Sequence, residues 1–167
     1  MNEMTRAMEL ADSLREKLVQ WLPEPSRRET PVPGLALTRY DEQASAMRCF
    51  YTPMVALVVQ GFKRSMIGDH EANYGKNHCV VVGVDMPGVF HVTEASSQAP
   101  FLSLSVRLDR RIISRLIAEA PAIVTEKAAP PRPIVVSEAS EELLEAFRRL
   151  VNLLDTPSRI AVLAPLI

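Results

Sequence analysis

The sequence predicts a mainly β domain with flanking α-helices: an antiparallel barrel or sandwich behind an N-terminal helix and ahead of C-terminal helices. Three observations carry this. From Leu35 to Leu108, short runs rich in Val, Leu, Phe and Tyr alternate with turn signals every 7 to 12 residues or so, roughly the pattern of a sandwich or barrel. No helix-length pattern interrupts that region, so βαβ units and a parallel sheet are not expected. Apolar residues at helical spacing bracket it on both sides.

The elements follow in order. Met4, Ala7, Met8, Ala11, Leu14, Leu18 and Trp21 recur at spacings of three and four, which predicts a helix over 4–22 ended by Pro23. "PEPSRRETPVP" then places four prolines in eleven residues, an extended connector over 23–33. Within the β region, turns are expected at Gln60-Gly61, Gly68-Asp69, Gly75-Lys76-Asn77, Pro87-Gly88 and Ser96 to Pro100. Gly68-Asp69 suits a two-residue hairpin turn, because Gly takes the positive φ such turns need. Asp109 caps a second helix over 109–120, with Ile112, Ile113, Leu116, Ile117 and Ala120 on one face and Pro121 as its stop. A Pro-containing crossing segment over 121–136 ends in "PIVV", read as a last short strand. Ser137 or Ser140 caps a third helix, with Glu141 and Glu142 at its positive end. Its apolar positions Leu143, Phe147, Leu150 and Leu154, widened by Leu144 and Val151, form a two-heptad seam. That seam packs on its own barrel, on a twin subunit, or on both. Asp155-Thr156-Pro157 ends it, and the apolar tail "SRIAVLAPLI" reads as the start of a further element.

Composition bounds the function. Hydrophobic residues make up 47% of the 167 and charged residues 23%, which is globular rather than disordered. Net charge is −1, and the basic pairs Arg27-Arg28, Arg110-Arg111 and Arg148-Arg149 are scattered among carboxylates, so no nucleic-acid stripe is formed. Cys49 and Cys79 are too few for a disulfide framework and lack metal spacing. No apolar run reaches the ~18 residues of a membrane span, and the acidic N-terminus does not suit a secretory signal. The expected location is cytoplasmic.

Most candidate chemistry fails on spacing. "LVVQGFKRS", Leu57 to Ser65, hints at an anion loop, but a phosphate loop needs G-x-x-x-x-G-K-[ST] between a strand and a helix. Here one Gly precedes the Lys and another strand follows, so the expected structure is a turn or bulge at Gln60-Gly61 with Lys63 and Arg64 partly outside. Of His70, His78 and His91, only His91 lies where it is expected to face the interior, and no His-x-His pair exists. Neither cysteine sits in an activated setting and there is no G-x-S-x-G elbow. In "FLSLSVRL" strict alternation separates Leu102, Leu104, Val106 and Leu108 from Phe101, Ser103, Ser105 and Arg107. The Ser-Arg face is either solvent-exposed or turned inward, where small side chains would leave room for a guest and Arg107 could meet an anionic group. The strand at "CVVVGVD" is expected to be covered on both faces.

From Tyr51 to Asp109 the chain resembles the N-terminal domain of AraC-type transcriptional regulators. The residues that carry the resemblance are Tyr51-x-Pro53, Gln60-Gly61-x-Lys63, Gly68-Asp69, Tyr74-Gly75, Val84-Asp85-x-Pro87, Glu94-Ala95, and Pro100 followed by an alternating strand into Asp109. The resemblance implies a cupin-like β-barrel that senses a small-molecule effector, followed by a helix used for dimerisation. In the full regulators two helix-turn-helix units follow and bind DNA. The implied organisation is an N-terminal helix and connector over 1–33, a barrel with its helix over 34–136, a dimerisation helix over 137–155, and over 156–167 the start of a linker to a DNA-binding domain absent from this chain.

On this reading the ligand contacts are Arg48, Tyr51, Phe90, His91, Val92, Ser103, Ser105 and Arg107, and the homodimer contacts are Leu143, Phe147, Leu150, Val151 and Leu154. No cofactor, metal, catalysis or membrane partner is expected, and DNA only through the missing domain. A second reading is a small cupin-type metalloenzyme, an isomerase or dioxygenase, holding its metal through His91 and another histidine.

Overall fold

A computed structural model describes residues 3–119 and 132–166. The chain runs α1 (Glu3–Trp21), β1 (Ser26–Glu29), β2 (Leu35–Tyr40), β3 (Ala44–Tyr51), β4 (Met54–Gln60), β5 (Phe62–Ile67), β6 (His70–Gly75), β7 (His78–Val82), β8 (Met86–Glu94), β9 (Phe101–Arg107), α2 (Arg110–Glu119), β10 (Ile134–Glu138), α3 (Glu141–Asn152) and α4 (Ile160–Leu163), with 3₁₀ turns around α4. Among the described residues ten strands form two antiparallel sheets. One has the order β1-β2-β9-β4-β7-β10 and the other β3-β8-β5-β6. The mainly β class with flanking helices is as the sequence predicts.

Two cores divide the apolar residues. The inner one lies between the sheets and holds Val58, Ile67, Val80, Val82, Phe90, Val92 and Phe101. The outer one lies between the far face of the six-stranded sheet and the helices. There Leu35, Leu37, Leu57, Val59, Leu102 and Leu104 meet Leu10, Leu14, Leu18 and Leu22 of the N-terminal segment and Leu144, Phe147 and Val151 of α3. The buried stripe of α1 is Leu10, Ala11, Leu14, Leu18, so the helix is rotated from the expected face and Met8 is exposed. Arg6 pairs with Glu141 at 3.0 Å and Lys17 with Asp155, tying α1 to α3 and to the turn behind it. Below α1, the Arg39 guanidinium donates to the carbonyls of Leu22 and Pro23 at 2.8 and 3.1 Å, satisfying acceptors that a helix end leaves free.

Corners, not only hairpins, organise the strands. Gly68 has φ +58° in a two-residue turn that pairs Ile67 with His70 across β5 and β6, as expected. Gln60-Gly61 is instead the corner where the chain leaves the six-stranded sheet for the four-stranded one. Gly61 has φ +81°, and a Cβ there would stand 2.5 Å from the Glu94 carbonyl and 2.9 Å from Phe101 Cα. Gln60 donates to the Pro100 carbonyl at 2.8 Å, which fastens this corner to the β8–β9 connection. Pro87-Gly88 is no turn. It lies inside β8, with Pro87 opposite Phe50 and outside the stretch that pairs with β5, so its missing N–H interrupts no bond on that side. The Pro-rich connector contains an unforeseen charged edge strand, β1, paired with β2. The strand at Cys79 is covered on its inner face, while Val81 on the outer face is partly open.

Asp109 accepts from Arg111 N at 2.8 Å as the cap of α2. Of the expected α2 face, Ile112 is exposed, while the side chains of Leu116, Ile117 and Ala120 lie outside the described residues, as does most of the 121–136 crossing segment. Ser140, not Ser137, caps α3 by accepting from Leu143 N at 3.3 Å. Phe147, Val151 and Leu154 are 3%, 0% and 2% exposed inside the outer core of their own chain. These three therefore have no surface left for a second subunit, contrary to the seam expected of them. Leu143 and Leu150 pack at the edge of that core and stay partly open. The stretch expected to begin a linker folds back instead, with Ile160 buried and Leu163 and Ala164 against the same core.

Gly61→Ala should lower stability by more than about 1 kcal/mol, because both the positive φ and the neighbouring backbone oppose a side chain. Gly83→Ala, whose Cβ would meet nothing within 4 Å, should change it by less than about 0.5 kcal/mol. Urea midpoints of the two variants check this.

Candidate functional site

The inner core is incomplete. A cavity of about 390 Å³ opens between the sheets, within the range of roughly 300–1,000 Å³ usual for ligand pockets. Alternation along the strands decides what lines it. β9 sends Phe101, Ser103, Ser105 and Arg107 into the barrel, because its leucines are claimed by the helices on the other face. β4 does the same with Met54, Ala56 and Val58 inward and Val55, Leu57 and Val59 outward. β2 adds Thr38 and Tyr40, and β8 adds Phe90. The Tyr40 ring stands edge-on to Phe90, centroids 6.1 Å apart, and 6.3 Å from Phe101, making an aromatic wall.

Polar groups sit at two depths. At the mouth, Arg27 of β1 pairs with Glu29 at 2.8 Å, and Arg107 reaches the same carboxylate at 3.9 Å; all three are exposed. Deeper, the Tyr51 hydroxyl donates to Ser65 Oγ at 2.7 Å, and Ser65 Oγ lies 2.7 Å from the Tyr74 hydroxyl. This chain stitches β3, β5 and β6 together with each hydroxyl satisfied. Burial pushes Tyr74 up to about 12 and Tyr51 higher still, with the Tyr74 hydroxyl adding to the effect on Tyr51, so both stay neutral. Burial also raises the Cys49 thiol, which lines the cavity as a thiol. Gly88 makes room for this cluster: a Cβ there would lie 2.7 Å from the Tyr51 ring.

Lys63 is the residue the sequence reading misplaced. β5 alternates, and Ile67 and Ser65 face inward, so Lys63 does too. Its ammonium lies 3.8 Å from the Phe90 ring centroid, and among the described residues no carboxylate pairs with it. Burial lowers its pKa to about 8. The residue is half-buried and lines the cavity.

Of the expected ligand contacts, Tyr51, Phe90, Ser103, Ser105 and Arg107 line the cavity. Val92 points inward but is packed in the core beside it. Two were wrong. His91 is flanked on β8 by Phe90 and Val92, and neighbouring residues of a strand face opposite ways, so its ring lies outside the barrel. There its Nδ1 accepts from Ala46 N at 3.2 Å, supporting the β3 bulge where Ala46 has φ +53°. Arg48 likewise points out, onto a shallow groove beside Met66, Pro87 and Val89. Among the described residues, no three His, Cys, Asp or Glu side chains lie close enough to hold a metal ion. His78 contacts the Gly75 carbonyl at 3.2 Å, and His70 is exposed.

An antiparallel two-sheet barrel, hollow and backed by helices, defines a cupin-like fold. The family described as "AraC-type transcriptional regulator N-terminus" matches residues 31–167, and the chain belongs to it. Residues 31–167 correspond to the N-terminal part of such a regulator. Among solved structures it is similar to ToxT from Vibrio cholerae, with 7% identity and a TM-score of 0.50 over 71% of this chain and 47% of that one. A structure of ToxT with bound unsaturated fatty acid matches with 6% identity and a TM-score of 0.47, over 86% and 53%. A cupin superfamily protein from Desulfitobacterium hafniense matches with 13% identity and a TM-score of 0.36, over 45% and 66%. The chain thus spans about half the length of the ToxT chain. No curated protein matches it in sequence. No described helix is long and apolar enough to cross a membrane.

Lys63 makes stability depend on pH in a definite direction. Its folded pKa is depressed, so its favourable contribution is present above the unfolded value of 10.5 and lost as pH falls through about 8. Lys63→Met should therefore stabilise the ligand-free domain most below pH 8, by up to about 3 kcal/mol, and little at pH 10.5. Denaturant unfolding of both proteins across pH 7 to 10.5 reads this difference.

Proposed function

We propose that this domain senses a small molecule bound inside the barrel and passes its occupancy to a DNA-binding half that lies outside this chain. The observation that carries the reading is the double use of the six-stranded sheet. β9 and β4 line the cavity with one face and seat α1 and α3 with the other. A guest that spreads or draws in Ser103 and Ser105 shifts Leu102 and Leu104, and with them the helices. A ligand that binds one helix arrangement better than another biases the population toward it, and so biases whatever α3 leads into.

The same reading makes the domain a cytoplasmic regulator rather than an enzyme. The hydroxyls of Tyr51, Ser65 and Tyr74 are neutral and engaged with one another, and the inner thiol is protonated. Homodimerisation then uses the outer side of α3, where Leu143 and Leu150 remain partly open, rather than the buried Phe147, Val151 and Leu154.

Two experiments test this. Small molecules that bind should raise the wild-type melting midpoint by about 5–10 °C at hundredfold excess over Kd. Ser105→Trp, which fills the cavity, should keep the far-ultraviolet dichroism of the fold and lose that shift; an equal shift in the variant would place the ligand elsewhere. Leu150→Asp should halve the mass in light scattering, and an unchanged mass would remove the outer side of α3 as the dimer contact.

A further inference from the structure

We infer that the barrel's ligand is a monocarboxylate with an apolar or aromatic body, its carboxylate seated on the Lys63 ammonium. This rests on the sensing function proposed above and names the class of molecule sensed.

The sign of the charge comes first. Among the described residues the cavity lining includes Arg27, Lys63 and Arg107 but no aspartate or glutamate. Arg27 and Arg107 are neutralised in part by Glu29 at the mouth. Lys63 has only the face of Phe90, 3.8 Å away. A ring face attracts a cation weakly beside what a carboxylate provides. A half-buried ammonium with no anion is costly, and an entering anion reduces that cost. The groups around it cannot supply the negative charge, because Cys49, Tyr51 and Tyr74 are all held in their neutral forms by burial.

The rest of the ligand follows from what else is there. A phosphate would bring a second charge, and among the described residues the other cations of the lining, Arg27 and Arg107, already share Glu29 at the mouth. The deep hydroxyls of Tyr51, Ser65 and Tyr74 already satisfy one another, which leaves the Lys63 ammonium as the charged group at that depth with no anionic partner among the described residues. The lining also includes Met54, Val58, Phe90 and Phe101, which suit an apolar body. A carboxylate is the anion that one ammonium can neutralise alone.

Calorimetric titration at pH 7 with octanoate and 3-phenylpropanoate, each against its primary amide, tests this. In the wild type the acids should bind at least about tenfold more tightly than the amides, the least that a charge-assisted bond supplies. Lys63→Met should abolish the preference, Lys63→Arg should retain it, and Arg48→Gln on the outer face should leave it unchanged. Amides binding as tightly as acids, and blocked by Ser105→Trp, would overturn the carboxylate and leave the sensing function standing. A preference that survives Lys63→Met would remove Lys63 as the counter-charge. Failure of all four compounds to bind would overturn the monocarboxylate and leave the sensing function to the melting test above.

Discussion

The six-stranded sheet has to be apolar on both faces, and the rest of the domain follows from that requirement. Its outer face carries Leu35, Leu37, Leu57, Val59, Leu102 and Leu104, which only helices can cover at this length of chain. α1 and α3 are held there, and once they are, period-two alternation fixes the opposite set of side chains as the barrel wall. Most of the fully buried leucines therefore lie outside the barrel, not within it. Stability and binding are physically separated: the outer core is dense, so the inner one can stay hollow without unfolding the domain.

That separation explains what the sequence made legible. The alternation of β9 was plain, and it sorted Ser103, Ser105 and Arg107 from the leucines correctly. Its direction was not plain, because solvent and cavity both accept a Ser-Arg face, and only the docking of distant helices decides between them. Tyr51, Phe90 and Arg107 line the cavity. His91 did not, and the strand period already forbade it from sharing a face with Phe90 and Val92. Lys63 was hidden by the opposite error. Lysine is read as surface, yet Ser65 and Ile67 two and four residues on are buried, and the period carries Lys63 in with them.

Helix surfaces were harder to read than strands. The seam at Leu143, Phe147, Leu150 and Leu154 fits a coiled coil in spacing, but spacing does not say which molecule supplies the partner. Here α1 does, and the buried stripe moves to Leu144, Phe147 and Val151. β1 was missed for a related reason. "SRRE" has no apolar residue, and it is a strand only because β2 offers an unpaired edge.

The mouth of the barrel has a kinetic consequence. Arg27 and Arg107 share one carboxylate, Glu29, so two positive charges and one negative leave this rim with a net charge of +1. The domain as a whole is slightly acidic, with a net charge of −1 over the full sequence. An anion drifting over a nearly neutral surface is therefore met by local attraction at the entrance. Field of this kind acts over about 8–10 Å at physiological ionic strength, enough to guide arrival but not to hold what has arrived. Entry would slow as salt is added, while departure from the enclosed interior, screened from the solvent ions, would hardly change.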